Sequence, residues 1–462
     1  MMNRLNKTVF HDVTIRIAKL INIFLMTAPF VAAWYSSYAD RLWVQFAMRG
    51  HWLVIGLFVM LYFIIGRIYE AFVMSYNGLG EMIYSQLLTC FEVDVIMYIV
   101  AALLIRRAPA VLPILLTFGA QSVAAVVWAI SVRKWYFHTF PSNKSIVIWD
   151  MRQGMSNLIG QYNLRKKFKI VATVSIDDCV ADLSILDDAD TVFLAGIHSH
   201  DRNIVTKYCL THNIEAYVIP RVGDLILTGA RRKNLFHILM LKVERFNPRL
   251  EYTLIKRLMD VILSAIAIVI FSPIMIITAL CIKLEDHGPV IYKQCRLTKD
   301  GKTFNILKFR SMRTDAEKDG VARLSTGDND DRITKVGRII RKVRVDELPQ
   351  LFNILKGEMS IVGPRAERPE IASEYEEELP EFALRLQCKA GLTGYAQVYG
   401  KYNTTPYDKL LMDLMYIANP SIFEDIRIIF ATVKILFLPE STEGVSVGAI
   451  TANEYNDTAD EQ

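Results

Sequence analysis

Between Lys308 and Gly320 the chain reads KFRSMRTDAEKDG, in which Asp315, Glu317 and Asp319 are interleaved with Lys308, Arg310, Arg313 and Lys318. Acids and bases packed this closely describe two different things. One is a solvated helix face laced with salt bridges. The other is a site whose chemistry needs carboxylates and cations at close quarters. Downstream, Arg332, Lys335, Arg338 and Arg341 recur every third residue. That spacing lines them along one helix face and turns Ile333, Val336, Ile340 and Val343 elsewhere. Such a stripe either faces water or, beside a membrane-inserted element, holds phosphates or lipid headgroups. DELPQLFNIL then places Asp346 and Glu347 at a helix start, where they cap it or pair with Arg341 or Arg344. SIVGPRAERP is a turn that carries Arg365 and Arg368 on proline-restricted backbone. Gly391 and Gly394 read as turn glycines.

These residues must be positioned by a chain of 462 residues, long enough for two or three domains. With 52% hydrophobic and 22% charged residues, it is too apolar for an ordinary cytosolic enzyme and points to the membrane. A net charge of +5 suits contact with anionic lipid or phosphates. No basic stripe interleaved with aromatics appears, which argues against nucleic acid. The six cysteines follow no metal or disulfide spacing and read as reduced thiols. No cleavable signal peptide is evident, since the first apolar run lacks a small-residue cleavage site.

Residues 1–140 hold four apolar segments, Leu20–Ala39, Gly50–Gly66, Met82–Ile105 and Ala108–Val132, each near the length of a membrane-spanning helix. Glu92 and Asp94, inside the third, are expected to face the bundle interior or an interface. Arg4, Lys7, Arg16 and Lys19 before the first span, with Arg133, Lys134 and Lys144 after the fourth, favour both ends inside the cell. Over 145–245 the pattern changes. SIVIWD, KIVATVS, TVFLAG and AYVIP alternate with helical stretches, the rhythm of a Rossmann-like α/β domain around a parallel sheet. Its first turn, MRQGMSNLIG, lacks the glycine fingerprint of a dinucleotide site, so a structural or regulatory role is expected.

A third, α-rich domain is expected over 250–462. Its first element, about 255–284, contains an uncharged run between Asp260 and Lys283 interrupted by Ser272-Pro273. Proline removes a donor and clashes with the preceding turn, so a kink or break is expected there. Ser272 is the expected partner for the freed backbone. A fifth span and a helix-break-helix that dips into one leaflet and returns both fit, with Lys256, Arg257 and Lys283 at the headgroup layer in the second case.

From Lys256 to Phe437 the chain resembles the bacterial sugar transferases, the monotopic phosphoglycosyl transferases. The motifs are Lys256-Arg257 with Asp260, Ser272-Pro273, KFRSM from Lys308, DAE from Asp315, DELPQLFN from Asp346, SIVGPR from Ser360, GLTGYAQV from Gly391, and YDKLLMDLMYIANPSIFEDIRII. With four spans and a Rossmann-like domain ahead of them, the layout is similar to the long-form members that start capsule, exopolysaccharide or O-antigen repeats. The resemblance implies transfer of a hexose-1-phosphate from a UDP-sugar to polyprenyl (undecaprenyl) phosphate, with release of UMP. It implies Asp315 as nucleophile and Glu317 as a Mg²⁺ ligand beside it. Lys308, Arg310, Arg338 and Arg341 are then candidates for neutralising phosphate, and Pro364-Arg365 for the nucleotide pocket. The chain departs from the family at Ala316, which separates two acids that are often adjacent, leaving Glu317 or another acid as the partner of Asp315. Ala390 stands where proline is frequent.

Because nucleotide sugars are cytosolic, this reading favours the dipping hairpin over a fifth span and places the catalytic domain in the cytoplasm at the bacterial inner membrane. Downstream glycosyltransferases, and a homo-oligomer, are compatible partners. A membrane-anchored sugar-nucleotide dehydratase or epimerase would need a tyrosine followed four residues later by lysine. Tyr208 is followed at that distance by His212 and Tyr217 by Arg221. A non-enzymatic membrane scaffold would account for the charge but not for the setting of the acids.

Overall fold

The structure, a computed structural model, describes residues 2–46, 48–150, 155, 159, 164–246, 248–313, 332–400 and 405–436. It divides into two compact units, Met1–Ile219 and Pro220–Gln462.

The first unit begins with α1 (Met2–Ala33), α2 (Met48–Ile68), α3 (Leu79–Ile105) and α4 (Leu112–Thr139). All four belong to segments long and apolar enough to cross a membrane. Leu103, Leu116 and Val123 point outward, as lipid-facing residues do, whereas the interior is aromatic and polar. Phe30 stacks on Phe58 with ring centroids 4.4 Å apart. Tyr62 donates to Asn22 Oδ1 at 2.8 Å, and Gln121 donates to the Met26 carbonyl at 3.0 Å. Inside hydrocarbon such bonds replace water, which explains why polar residues sit in the middle of apolar helices. Asp94 is buried in this interior, and Glu92 accepts from the Tyr69 hydroxyl at 2.6 Å, so both acids turn inward as expected.

The sheet that follows contains β1 (Asn143–Trp149), β2 (Phe168–Ser175), β3 (Thr191–Ala195) and β4 (Glu215–Val218), all parallel, in the order β2-β1-β3-β4. Helices α5 (Ile176–Ala181) and α6 (Ser199–Thr211) connect them. β3 is buried at every position, as a central strand covered on both faces must be. Its side chains pack with Ile146, Ile148, Cys179 and Val205 in one apolar core.

The second unit opens with α7 (Val222–Thr228) and an antiparallel hairpin of β5 (Arg231–Leu235) and β6 (Ile238–Lys242). Next comes α8 (Leu250–Asp286), the fifth helix long and apolar enough to span a membrane. The break expected near Pro273 is absent from the helical hydrogen bonding, which continues through it. Pro273 cannot donate to the Val269 carbonyl, and the Ser272 hydroxyl supplies that donor at 2.8 Å. Ser272 therefore plays the part foreseen for it, and the helix passes through a proline at which it can bend without breaking.

β7 (Ile291–Leu297) and β8 (Thr303–Phe309) form a second antiparallel hairpin. Then follow α9 (Lys335–Lys342), α10 (Gln350–Lys356), β9 (Ser360–Val362), α11 (Pro369–Glu378) and β10 (Gly391–Thr393). Three helices close the unit: α12 (Tyr395–Tyr399), α13 (Pro406–Ala418) and α14 (Ile422–Leu436). Ile282 from α8, Phe309 from β8 and Ile340 from α9 share one apolar cluster with Met275, Ala279 and Val336. The C-terminal half of α8 thus rests on this unit. Val343, which the spacing turns away from the cationic stripe, is exposed, because the helix ends at Lys342 and Arg344 adopts a left-handed backbone (φ 54°) that redirects the chain.

Candidate active site

Two segments far apart in sequence meet at β8. Lys308, on that strand, points its ammonium at Glu347, with Nζ 2.8 Å from Oε1. Glu347 ends a short 3-10 turn, Val345–Glu347, that leads into α10. Neither Asp346 nor Glu347 is the cap of that helix, a position held by Pro349. Burial alone would raise the Glu347 carboxyl, but the positive charges of Lys308, Arg365 and Arg344 outweigh it and hold the group below the usual carboxylate range. Asp346 goes the other way. Burial, then the neighbouring Glu347 carboxylate, push it above the usual range, against Lys308, Arg341 and Arg344. Two adjacent acids thus differ in their affinity for a proton because one has an ammonium in contact and the other does not.

The candidate cations fall into two groups. Lys308, Arg341 and Arg365 share the field of this acidic pair, whereas Arg338 points to solvent on α9. Arg310, just past β8, is buried, and its amide donates to the Val290 carbonyl at 2.9 Å. Beyond it the Arg313 amide donates to the Arg332 carbonyl at 2.9 Å, and Met312 pairs with Ile333 as an antiparallel bridge. Asp315 and Glu317 lie outside the described residues. Among the described residues no three His, Cys, Asp or Glu side chains group to hold a metal.

Pro364 and Arg365 follow β9. The Pro364 carbonyl accepts from the Gly391 amide at 2.8 Å, and Gly363 donates to the Thr393 carbonyl at 2.9 Å. The glycines here serve close packing. A Cβ on Gly391 would lie 2.2 Å from the Gly363 nitrogen, and one on Gly394 would lie 2.1 Å from the Gly363 oxygen. The Arg365 side chain is exposed, while its carbonyl is held by Arg385 Nη2 at 3.0 Å. Arg385 is itself buried. It meets Asp413 Oδ2 at 2.7 Å through Nη2 and Glu367 Oε1 at 3.6 Å through Nη1. Arg296, on β7, donates to the Ala366 carbonyl at 3.0 Å. Arg296, Glu367, Arg385 and Asp413 are positioning residues that sequence reasoning missed. Each looks like an ordinary surface charge in one dimension, and no local spacing links them.

Lys256, Arg257 and Asp260 prove to be anchors for α8. Arg257 donates to the carbonyls of Ile354 and Leu355 at 2.7 and 2.8 Å, capping the C-terminal end of α10. Asp260, buried, accepts from the Ile361 amide at 3.0 Å and the Ser360 hydroxyl at 3.2 Å. Lys256 Nζ lies 3.1 Å from Asp425 Oδ2, and Asp425 also accepts from Tyr416 at 2.7 Å and Tyr252 at 3.0 Å. At the other end of α8, Glu285 accepts from the amide of Lys335 at 2.8 Å, adding an anion to the N-terminus of α9.

The residues of these anchors and of the acidic pair fall within 251–439, the stretch that matches the family model for bacterial sugar transferases. Among curated relatives, an undecaprenyl-phosphate N-acetylgalactosaminephosphotransferase of Aeromonas hydrophila is 39% identical over 229 residues, covering 49% of this chain and 53% of the relative. A UDP-glucose:undecaprenyl-phosphate glucose-1-phosphate transferase of Caulobacter vibrioides is 40% identical over 199 residues, covering 42% and 74%. An exopolysaccharide production protein of Rhizobium leguminosarum is 43% identical over 188 residues, covering 39% and 93%. The match thus takes in about half of the Aeromonas relative and nearly all of the Rhizobium one. With more than two thirds of two relatives covered at 40% and 43% identity, the chain belongs to the bacterial sugar transferase family.

Proposed function

We propose that this protein transfers a sugar-1-phosphate from a UDP-sugar to undecaprenyl phosphate at the bacterial inner membrane, the first membrane step of a surface polysaccharide. The observation that carries the reading is the family match over 251–439, which takes in the anchors of α8, the acidic pair and the Pro364-Arg365 turn together, beside relatives named for this reaction.

Asp315 is the proposed nucleophile. Its carboxylate oxygen attacks the sugar-bearing phosphorus of the UDP-sugar, the bond to the bridging oxygen breaks, and UMP leaves. The phosphosugar then resides on Asp315 as an acyl phosphate. An oxygen of undecaprenyl phosphate attacks the same phosphorus, forming the diphosphate-linked lipid and restoring the carboxylate. Asp315 and Glu317 would hold Mg²⁺, which lowers the repulsion between phosphate groups when bound. Lys308, Arg310, Arg341 and Arg365 supply positive charge for phosphate, and Pro364-Arg365 borders the nucleotide. Phosphoryl transfer depends mostly on such positioning and charge stabilisation.

We infer further that α8 enters one leaflet and returns, keeping the catalytic unit cytoplasmic. Its polar anchors near the N-terminus and its apolar contacts near the C-terminus both engage one unit, which supports a bend about Pro273. The α/β region over 145–245 is proposed as a Rossmann-like domain with a structural or regulatory role. Release of UMP by the purified chain, screened across UDP-sugars with undecaprenyl phosphate and Mg²⁺, tests the reading. Release with at least one UDP-sugar is expected, and no release with any of them, from folded protein, contradicts it.

A further inference from the structure

On the second unit, a cavity of about 650 Å³ lies between the β7–β8 turn and the C-terminal end of α10. Lys308 and Arg310 do not line it. Five lysines do: Lys293, Lys299, Lys302, Lys356 and Lys389. Its two acids are already engaged. Asp300 accepts from Arg245 at 2.7 Å, and Glu358 accepts from Asn353 at 2.6 Å. Lys389 donates to the Gly357 carbonyl at 2.7 Å. Among the described residues the other four ammonium groups have no ion pair. Like charges gathered round a concavity, with the nearby carboxylates committed elsewhere, raise one another's free energy. A multivalent anion relieves that cost.

The cavity also lies at the foot of α8. A Cβ on Gly357 would be 3.4 Å from Arg257 Nη2 and 3.6 Å from Lys389 Nζ, so the cation that anchors α8 and a cavity lysine share this corner. Burial, and then the charge of Arg257, lower the affinity of Lys389 for its proton, as expected where cations are crowded without an anion. Lysine is a point charge that suits phosphate from several directions, whereas planar carboxylates favour arginine. We propose that this cavity is a binding site for phosphate groups, separate from the Lys308–Glu347 site and independent of the transfer reaction. The phosphate is carried either by an anionic lipid headgroup beside α8 or by a soluble phosphate.

Lysine acetylation of the full chain with an amine-reactive ester, read peptide by peptide by mass spectrometry without any UDP-sugar, tests this. One arm compares inorganic pyrophosphate with sodium chloride of equal ionic strength in detergent. The other compares nanodiscs of phosphatidylglycerol with nanodiscs of phosphatidylcholine. Slowing of about five-fold at Lys293, Lys299, Lys302, Lys356 and Lys389, the size of one lysine contact with anionic lipid, is expected in at least one arm. Exposed Lys207 and Lys233 should be unchanged. Protection by pyrophosphate identifies a soluble phosphate, and protection only in phosphatidylglycerol identifies a headgroup. In the triple variant Lys299→Gln, Lys302→Gln, Lys356→Gln, the protection of Lys293 and Lys389 should disappear. Equal reactivity in both arms, or protection that survives the triple substitution, overturns the proposal.

Discussion

The Lys308 ammonium lies 2.8 Å from the Glu347 carboxylate, joining strand β8 to the turn that precedes α10 across 39 positions of sequence. This contact sorts the two neighbouring acids into one that stays ionised and one that resists ionisation. It also leaves Lys308 only part of its charge for a substrate phosphate.

Replacing Lys308 by methionine leaves Glu347 without its partner, and stability should fall by about 2 kcal/mol, the scale of a hydrogen bond to a charged group. Adding Glu347→Gln should recover most of that loss. Transfer should stay at least about 100-fold below the parent in both variants if the ammonium also stabilises phosphate charge. Denaturant unfolding and UMP release on the same preparations separate the two effects. Full recovery of turnover in the double variant would make the pair purely structural.

Asp346 is predicted to set a pH dependence. Its folded pKa is raised to about 6 from 3.8, so the folded state holds a proton that the unfolded state has lost, and stability should fall as pH rises through that window. Glu347 acts oppositely, and what it contributes is lost only as pH drops below 4.5. Between about 4.5 and 6 the Asp346 effect therefore stands alone. Asp346→Asn should flatten the profile there and gain roughly 1–2 kcal/mol at pH 7, a shift discounted for a half-buried carboxyl. Unfolding at pH 4.5, 6 and 7.5 reads it directly, and parallel profiles for parent and variant would refute it.

The Lys256–Asp425 contact predicts a cost of a different kind. Asp425 is fully buried, so Lys256→Met leaves a carboxylate served, among the described residues, by two tyrosine hydroxyls, at a cost of about 3 kcal/mol. Lys256→Met with Asp425→Asn should cost less than Lys256→Met alone. A double variant worse than both singles would mean that the residues act independently.

Removing residues 1–219 should leave transfer largely intact, because the second unit packs as a body of its own and contains the whole family match at 251–439. Loss of all turnover in a folded truncation would assign the first unit a part in the reaction.

What could be read in advance divides along physical lines. Apolar runs and alternating strands are local signals: helices α2–α4 and strands β1–β4 appear close to where they put them, while α1 starts at Met2, well before the run at Leu20. Ser272 was readable because its duty concerns a carbonyl three residues away. The duties of Lys256, Arg257 and Asp260 were not, because their partners lie between 97 and 169 positions downstream. The deepest positions of α14 are Asp425, Ile428 and Ala431, since a buried carboxylate takes the innermost place on behalf of Lys256. Arg385 and Asp413 were hidden for the same reason, two charges that become an internal pair only once α13 is packed.

The most direct measurement follows the phosphosugar itself. The purified chain is incubated with a UDP-sugar and Mg²⁺ without lipid acceptor, quenched, digested and examined by mass spectrometry. The account predicts one hexose-phosphate adduct on the peptide carrying Asp315, discharged when undecaprenyl phosphate is added and absent from Asp315→Asn. UMP release undiminished in Asp315→Asn, or an adduct on another residue, would contradict it.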